Sequence, residues 1–171
     1  MNTFLRGERM RGKTCCVTGH RDIPAEQIEY VKQALRREIE GAIADGYTHF
    51  LSGFAEGADL FFAEIAAEFC EKNEALTLEG AIPYEGRLRR LQKGKETKRL
   101  LDACDKISLI SKAYAPDVFH KRNQYLIEHS QRAIAVYDGR ERGGTAATLR
   151  MARRKEIELR IIYIGIYIGI E

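Results

Sequence analysis

Four short stretches set glycine, arginine, small hydroxyls and carboxylates in patterns that suit an anionic ligand. The first is Thr18-Gly19-His20-Arg21-Asp22. Gly19 lets the backbone turn sharply and approach a bound group. Arg21 offers a planar fork of donors to phosphate or carboxylate, and His20 can stack or hydrogen-bond. The same residues also make a plain turn with surface charges. The second stretch is Ser52-Gly53-Phe54-Ala55-Glu56-Gly57-Ala58-Asp59. Gly53 and Gly57 flank the start of a helix, where small residues expose backbone N–H groups to an anion and the helix dipole favours it. Glu56 and Asp59 either bind ribose hydroxyls or cap that helix, since acids favour its amino end. The stretch is not G-x-G-x-x-G and lacks the lysine of a P-loop.

The third stretch, residues 112–123, holds Tyr114, Phe119, His120, Arg122 and Asn123. An aromatic ring with Arg and Asn can hold a base and its phosphate; equally, Phe119 is core and Arg122 a solvated side chain. The fourth, residues 138–145 (DGRERGGT), ends in Gly143-Gly144-Thr145 before a helix. Thr145 suits the N-cap, and Arg140 and Arg142 add positive potential. The plainer reading is a flexible surface turn. The four cysteines, Cys15, Cys16, Cys70 and Cys104, form no C-x-x-C pair and no zinc-finger spacing with His. They read as reduced thiols, Cys15 and Cys16 in the core, and no residue set reads as a metal site.

The elements that must position these stretches alternate. Residues 13–18 (KTCCVT), 47–52, 76–84, 106–111, 132–137 and 159–164 read as strands. Between them, residues 25–45, 58–72, 85–104, 118–129 and 146–155 read as helices. The helix over 25–45 carries apolar residues at Ile28, Val31, Leu35, Ile39 and Ile43, in steps of three and four, with Pro24 at its start and Gly46 at its end. Such alternation predicts an α/β fold of three layers, a mainly parallel sheet with helices on both faces. Ligands of such sheets bind beyond the carboxyl ends of the strands, where the strand order reverses. An order of 3-2-1-4-5 places the loops after the first and fourth strands opposite each other.

With 171 residues the chain suits one domain, expected over 13–164, with an N-terminal tail over 1–12 and an apolar C-terminal tail over 165–171. The end of the chain (IYIGIYIGI) leaves an edge contact between copies open. Hydrophobic residues make up 44% and charged ones 31%, which excludes wholesale disorder. Lys and Arg total 28 against 25 Asp and Glu, a net charge of only +3. That mild balance, and the lack of an evident basic–aromatic array, argues against nucleic acid as a partner. The charged segment from Arg87 to Lys98 reads as a solvated helix face. No run approaches the roughly 20 apolar residues of a membrane span, and no signal peptide is evident, so a cytoplasmic protein is expected.

Taken in order, the four loops resemble the SLOG superfamily, the Rossmann-like group that includes the DprA/Smf and LOG proteins, and within it the DUF1273, YpsA-like branch. The residues that carry the resemblance are Thr18 to Arg21, Ser52 to Asp59, Lys121-Arg122-Asn123, Ser130 to Asp138 and Gly143-Gly144-Thr145. It spans about residues 13–164 and implies a Rossmann-like sheet with a nucleotide or nucleotide-derived ligand. LOG-type phosphoribohydrolases have a P-G-G-x-G-T-x-x-E loop whose Glu serves hydrolysis; here Thr148 stands in that place. Threonine is no carboxylate base at neutral pH, so no residue is assigned a catalytic role.

The favoured function is therefore a sensing or regulatory domain that binds a nucleotide-like small molecule and passes its output to a protein partner. A nucleotide-processing enzyme such as an N-glycosidic phosphoribohydrolase, with Glu56 or Asp59 as acid or base, and a single-stranded nucleic-acid binder are the alternatives. In the expected pocket Gly19, Gly53, Gly57, Gly143 and Gly144 give close backbone approach. Arg21 and Arg122 neutralise phosphate, Ser52 and Thr145 donate hydroxyl bonds, Asp59 holds ribose or the helix start, and His20, Glu56 and Asn123 complete the set. Magnesium would enter only with a bound phosphate.

Overall fold

The computed structural model describes residues 12–165. Six strands, β1 (Lys13–Gly19), β2 (Tyr47–Ser52), β3 (Thr77–Tyr84), β4 (Lys106–Ser111), β5 (Arg132–Tyr137) and β6 (Glu158–Tyr163), form one sheet in the order β4-β3-β2-β1-β5-β6. Every pairing is parallel. Helices α1 (Ile28–Ala44), α2 (Ala58–Lys72), α3 (Glu85–Lys93), α4 (Lys95–Asp102), α5 (Val118–Glu128) and α6 (Gly144–Arg154) connect the strands. The fold is the expected three-layer, Rossmann-like α/β arrangement.

Alternation along the strands explains the layers. Cys15, Val17, Phe50, Leu78, Ile134 and Val136 point to the face covered by α1 and α2. Cys16, Leu51, Ala81 and Ala133 point the other way, onto Leu126 and Ile127 of α5 and Met151 and Ala152 of α6. Leu91, Leu100 and Leu101 carry the first face outward over Ile82 and Phe54. Buried on both sides, the central strands read as continuous apolar runs rather than alternating ones.

Three expectations are corrected. The strand beside β1 is β5 and not β4, which forms the far edge. The reversal therefore lies between β1 and β5, and α5 must cross over β3, β2 and β1 to bring the chain from β4 to β5. The single helix expected over 85–104 is two, broken at Gly94, whose extended backbone (ψ 133°) interrupts the helical path. Finally, α6 starts earlier than expected: Gly143 is its N-cap and Thr145 already lies in its first turn. Of the two expected tails, only Gly12 and Gly165 belong to the described residues.

The start of α2 depends on one glycine. Gly57 has φ +77°, a region that side chains avoid, and a Cβ there would stand 2.5 Å from the His20 carbonyl oxygen and 2.7 Å from that of Arg21. The next N–H, of Ala58, donates to His20 O at 3.3 Å. Gly57→Ala is expected to cost about 2–4 kcal/mol, from backbone strain and overpacking together. A lowered urea midpoint with an unchanged slope checks this; an unchanged midpoint would refute it.

Candidate functional site

At the carboxyl ends of β1 and β5 lies a cleft of about 430 Å³. The end of β1 supplies Thr18 and Gly19 to its wall, and the loop after it His20, Arg21 and Asp22. The loop and helix after β2 supply Ala55 and Asp59, helix α5 supplies Phe119, Arg122, Asn123 and Leu126, and the start of α6 supplies Gly144 and Thr145.

Arg122 dominates the cleft. It sits one turn into α5, its side chain reaches the loop after β2, and the residue is only 5% exposed. Its Nη1 donates to Gly53 O at 2.6 Å and its Nε to Asn123 Oδ1 at 2.8 Å. Nη2 has no partner among the described residues, and no carboxylate there pairs with this guanidinium within salt-bridge distance. The residue forms part of the cleft wall. Burial disfavours its charge, the nearby Asp59 carboxylate favours it, and the neighbouring guanidinium groups of Arg21 and Arg87 oppose it. Arg87, on α3, donates to Phe54 O at 3.1 Å. Two arginines thus hold consecutive carbonyls of the loop after β2, and Phe54 adopts a left-handed φ of 54° between them.

Asp59 lies beneath Arg122. Its Oδ2 accepts the Ala55 N–H at 3.3 Å, while Ser52 Oγ donates to Asp59 O at 2.8 Å. Burial pushes its carboxyl up to about 6, against the pull of Arg122. Gly53 leaves room for this pair: a Cβ there would lie 2.7 Å from Arg122 Nη1 and 2.8 Å from Asp59 Oδ2.

Across the reversal, His20 Nε2 lies 3.1 Å from the Asp138 backbone nitrogen, and its ring stacks on Tyr137. The same nitrogen lies 3.0 Å from Asp138 Oδ1; burial lowers the His20 pKa against the opposing pull of that carboxylate. The Arg140 guanidinium holds the Asp138 carboxyl down at about 2. The first N–H groups of α6 lack intrahelical partners, no side chain caps them, and a Cβ built on Gly143 would meet nothing within 4 Å. That helix start is open to an anion.

The expected site residues thus fall into three groups. Gly19, His20, Arg21, Asp59, Arg122, Asn123, Gly144 and Thr145 line the cleft together. Ser52 and Gly53 lie behind the wall as the socket of Arg122 and Asp59, Gly57 locks α2 to the loop after β1, and Gly143 caps α6. Glu56 is exposed, outside the lining, near enough to Arg87 to favour its charge. Thr148 is fully buried and donates to Gly144 O at 2.8 Å, so its hydroxyl serves its own helix.

The residues missed are Tyr84 and Arg87, which join Tyr114, Phe119 and Arg21 at the rim. Tyr84 packs edge-on against Tyr114 and Phe119, and the Arg21 guanidinium lies 5.3 Å from the Phe119 ring centre. Tyr114 is 62% exposed. Together with Arg87 this is a basic–aromatic array, contrary to the expectation that none exists; it is assembled from three separate segments, so no spacing announces it. Arg87 itself is expected from the sequence on a solvated face; its partial burial and its carbonyl contact distinguish it from the exposed Arg89 and Arg90. Among the described residues, no group of three or more His, Cys, Asp or Glu side chains is placed to hold a metal ion, and no helix is long and apolar enough to cross a membrane.

Residues 15–166 match the model for YpsA, described as the YspA SLOG family. The chain belongs to this family. Curated relatives of this SLOG chain include UPF0398 proteins of Bacillus thuringiensis (strain Al Hakam) and Bacillus cereus (strain AH187), each 30% identical over 139 residues, covering 77% of this chain and 74% of the relative. Its sheet is similar to that of DNA processing protein A from Helicobacter pylori, described as binding single-stranded DNA, with a TM-score of 0.64 at 19% identity, over 91% of this chain and 67% of that one. It is also similar to the molybdenum cofactor carrier protein of Chlamydomonas reinhardtii, with a TM-score of 0.55 at 17% identity, over 88% and 76% of the two chains. These two likenesses show a shared fold. The expectation against nucleic acid gains no support from them.

Asp59 makes stability depend on pH in an unusual direction. Its pKa of about 6 in the folded chain exceeds the ordinary carboxylate value, so between about pH 4 and 6 the folded state holds the proton that the unfolded state has lost. Stability from this group is present below about pH 4 and is lost as the pH rises through about 6. Asp59→Asn is expected to flatten that slope and to raise stability at pH 7 by roughly 2–3 kcal/mol. Urea unfolding of both proteins at pH 4.5, 6 and 7.5 reads it out; parallel pH profiles would sink the assignment.

Proposed function

We propose that the cleft binds a nucleotide or nucleotide-derived molecule through its phosphate, in a sensing or regulatory role within the cell. The observation that carries this is Arg122: a buried guanidinium in the cleft wall, hydrogen-bonded to no carboxylate, whose Nη2 has no partner among the described residues. A buried charge of this kind is costly unless something pairs with it. The uncapped start of α6 and Arg21 converge on the same space, which suits a phosphate group. Asp59 and Asn123 stand where a ribose could be held. The Thr148 hydroxyl is engaged by its helix and Glu56 stands outside the cleft, which favours binding over hydrolysis.

A single-stranded nucleic acid is the second reading. It is favoured by the basic–aromatic rim of Tyr84, Tyr114, Phe119, Arg21 and Arg87, and by the fold shared with DNA processing protein A. Such rims bind by base stacking and phosphate contacts.

Thermal unfolding with AMP, NAD, ADP-ribose and a dT oligonucleotide tests both. A ligand at a hundred times its Kd adds about 2.7 kcal/mol of stability. Arg122→Leu is expected to weaken binding of the phosphorylated ligand by about 10–100-fold, the worth of a charge-assisted hydrogen bond. Tyr114→Ala should leave mononucleotide binding intact but weaken the oligonucleotide, whose affinity should also fall steeply with salt. No shift from any of these compounds would overturn the proposal.

A further inference from the structure

A second recess, of about 600 Å³, opens at the opposite end of the sheet, at the amino ends of the strands. Its floor is a connected set of polar side chains. Thr77 and Glu79 point to the same face of β3, and His49 of β2 is the register partner of Thr77. Glu79 is only 4% exposed, yet its carboxyl has three donors. His49 Nε2 lies 2.7 Å from Oε1, while Ser108 Oγ at 2.7 Å and Tyr125 OH at 2.5 Å reach Oε2. Burial opposes the charge, but these bonds together pull the carboxyl down to about 2.

That ionised carboxylate determines the state of the histidine. A carboxylate only accepts, so the His49 nitrogen facing it carries a proton. A ring that carries its single proton there presents its lone pair at Nδ1, which lies 2.7 Å from Thr77 Oγ1. The other acceptor within reach of the Thr77 hydroxyl, the Thr48 carbonyl oxygen, is 3.5 Å away. The result is a hydroxyl hydrogen-bonded to an imidazole, which is hydrogen-bonded to a buried carboxylate. All three residues line the recess, with Lys13 and Lys106 on its wall.

We propose that Thr77, His49 and Glu79 are the nucleophile, general base and orienting carboxylate of a second site, one that hydrolyses small carboxylic esters, preferentially anionic ones drawn by Lys13 and Lys106. This arrangement is recognised by roles and geometry rather than by sequence order. Thr77 Oγ1 attacks the ester carbonyl as His49 Nδ1 takes its proton. The bond to the alcohol breaks, and the alcohol leaves with that proton. Water then attacks the acyl-threonine and gives a proton to His49. The bond between acyl carbon and Oγ1 breaks, the carboxylic acid departs, and Thr77 regains its proton. The sum is ester plus water to acid plus alcohol. Glu79 stays ionised throughout and holds the ring in one tautomer. The site is independent of the nucleotide cleft.

The test uses the full chain with p-nitrophenyl acetate, with mono-p-nitrophenyl succinate as the anionic analogue, and with a fluorophosphonate probe read by mass spectrometry. Hydrolysis is expected to fall by ~10²-fold or more in Thr77→Val, the lower range of a general-base contribution. Valine keeps the branched shape that suits a strand, so the fold should survive, and thermal unfolding verifies it. Thr77→Ser should restore turnover, and one adduct should map to the peptide containing Thr77. Hydrolysis at an unchanged rate in Thr77→Val, or a protein that takes no adduct at Thr77, would overturn the proposal and leave the cluster a purely structural network.

Discussion

A buried guanidinium that grips backbone carbonyl oxygen, with its nearest carboxylate held beyond ion-pair contact, governs the carboxyl-terminal rim of this sheet. Arg122 leaves its own helix to grip the carbonyl of Gly53, and that bond ties α5 to the loop after β2. The neighbouring residue types follow from it. Gly53 must lack a side chain because Arg122 and Asp59 fill the space. Asp59 must be buried close by, and Ser52 must hold the backbone of Asp59 from below. Arg87 repeats the grip one carbonyl further on. A loop held this way is rigid before any ligand arrives, so little ordering entropy remains to be lost on binding.

The two ends of the sheet meet the cost of a buried charge in opposite ways. At the amino end, the negative Glu79 is fully satisfied by three donors and needs no ligand for its stability. At the carboxyl end, the positive Arg122 keeps one nitrogen without a partner among the described residues. A satisfied charge organises its neighbours, whereas an incompletely satisfied one recruits from solution.

Much of the architecture was legible because it rests on local patterns. The apolar steps of α1 and the unbroken apolar run of β1 identify a helix and a buried strand without tertiary information. The loops after β1, β2 and β5 were also legible as motifs, because glycine, small hydroxyls and charges there stand side by side. The strand order was not. Nothing in residues 106–111 distinguishes an edge strand from a neighbour of β1, since that choice is made by the path of α5 over the sheet. The role of the glycines was only half visible: Gly53 and Gly57 do permit close approach, but to Arg122 and to the carbonyls of His20 and Arg21. The rim of Tyr84, Tyr114 and Phe119, and the chain from Thr77 through His49 to Glu79, join residues from different strands and loops. Contacts of that kind exist only once the sheet has formed.

The position of β5 also bears on how the molecule assembles. The pairing beside β1 joins Thr14 to Gln131, 117 residues apart in the chain. During synthesis, strands β1 to β4 and their helices emerge well before β5. Until β5 arrives, one side of β1, with its wholly apolar Cys15, Cys16 and Val17, is an unpaired edge. Closing that distance is the slow, entropically expensive step in such a topology. The crevice that makes the ligand site thus comes into being only with the last long-range closure, so a chain able to bind there has already completed its sheet.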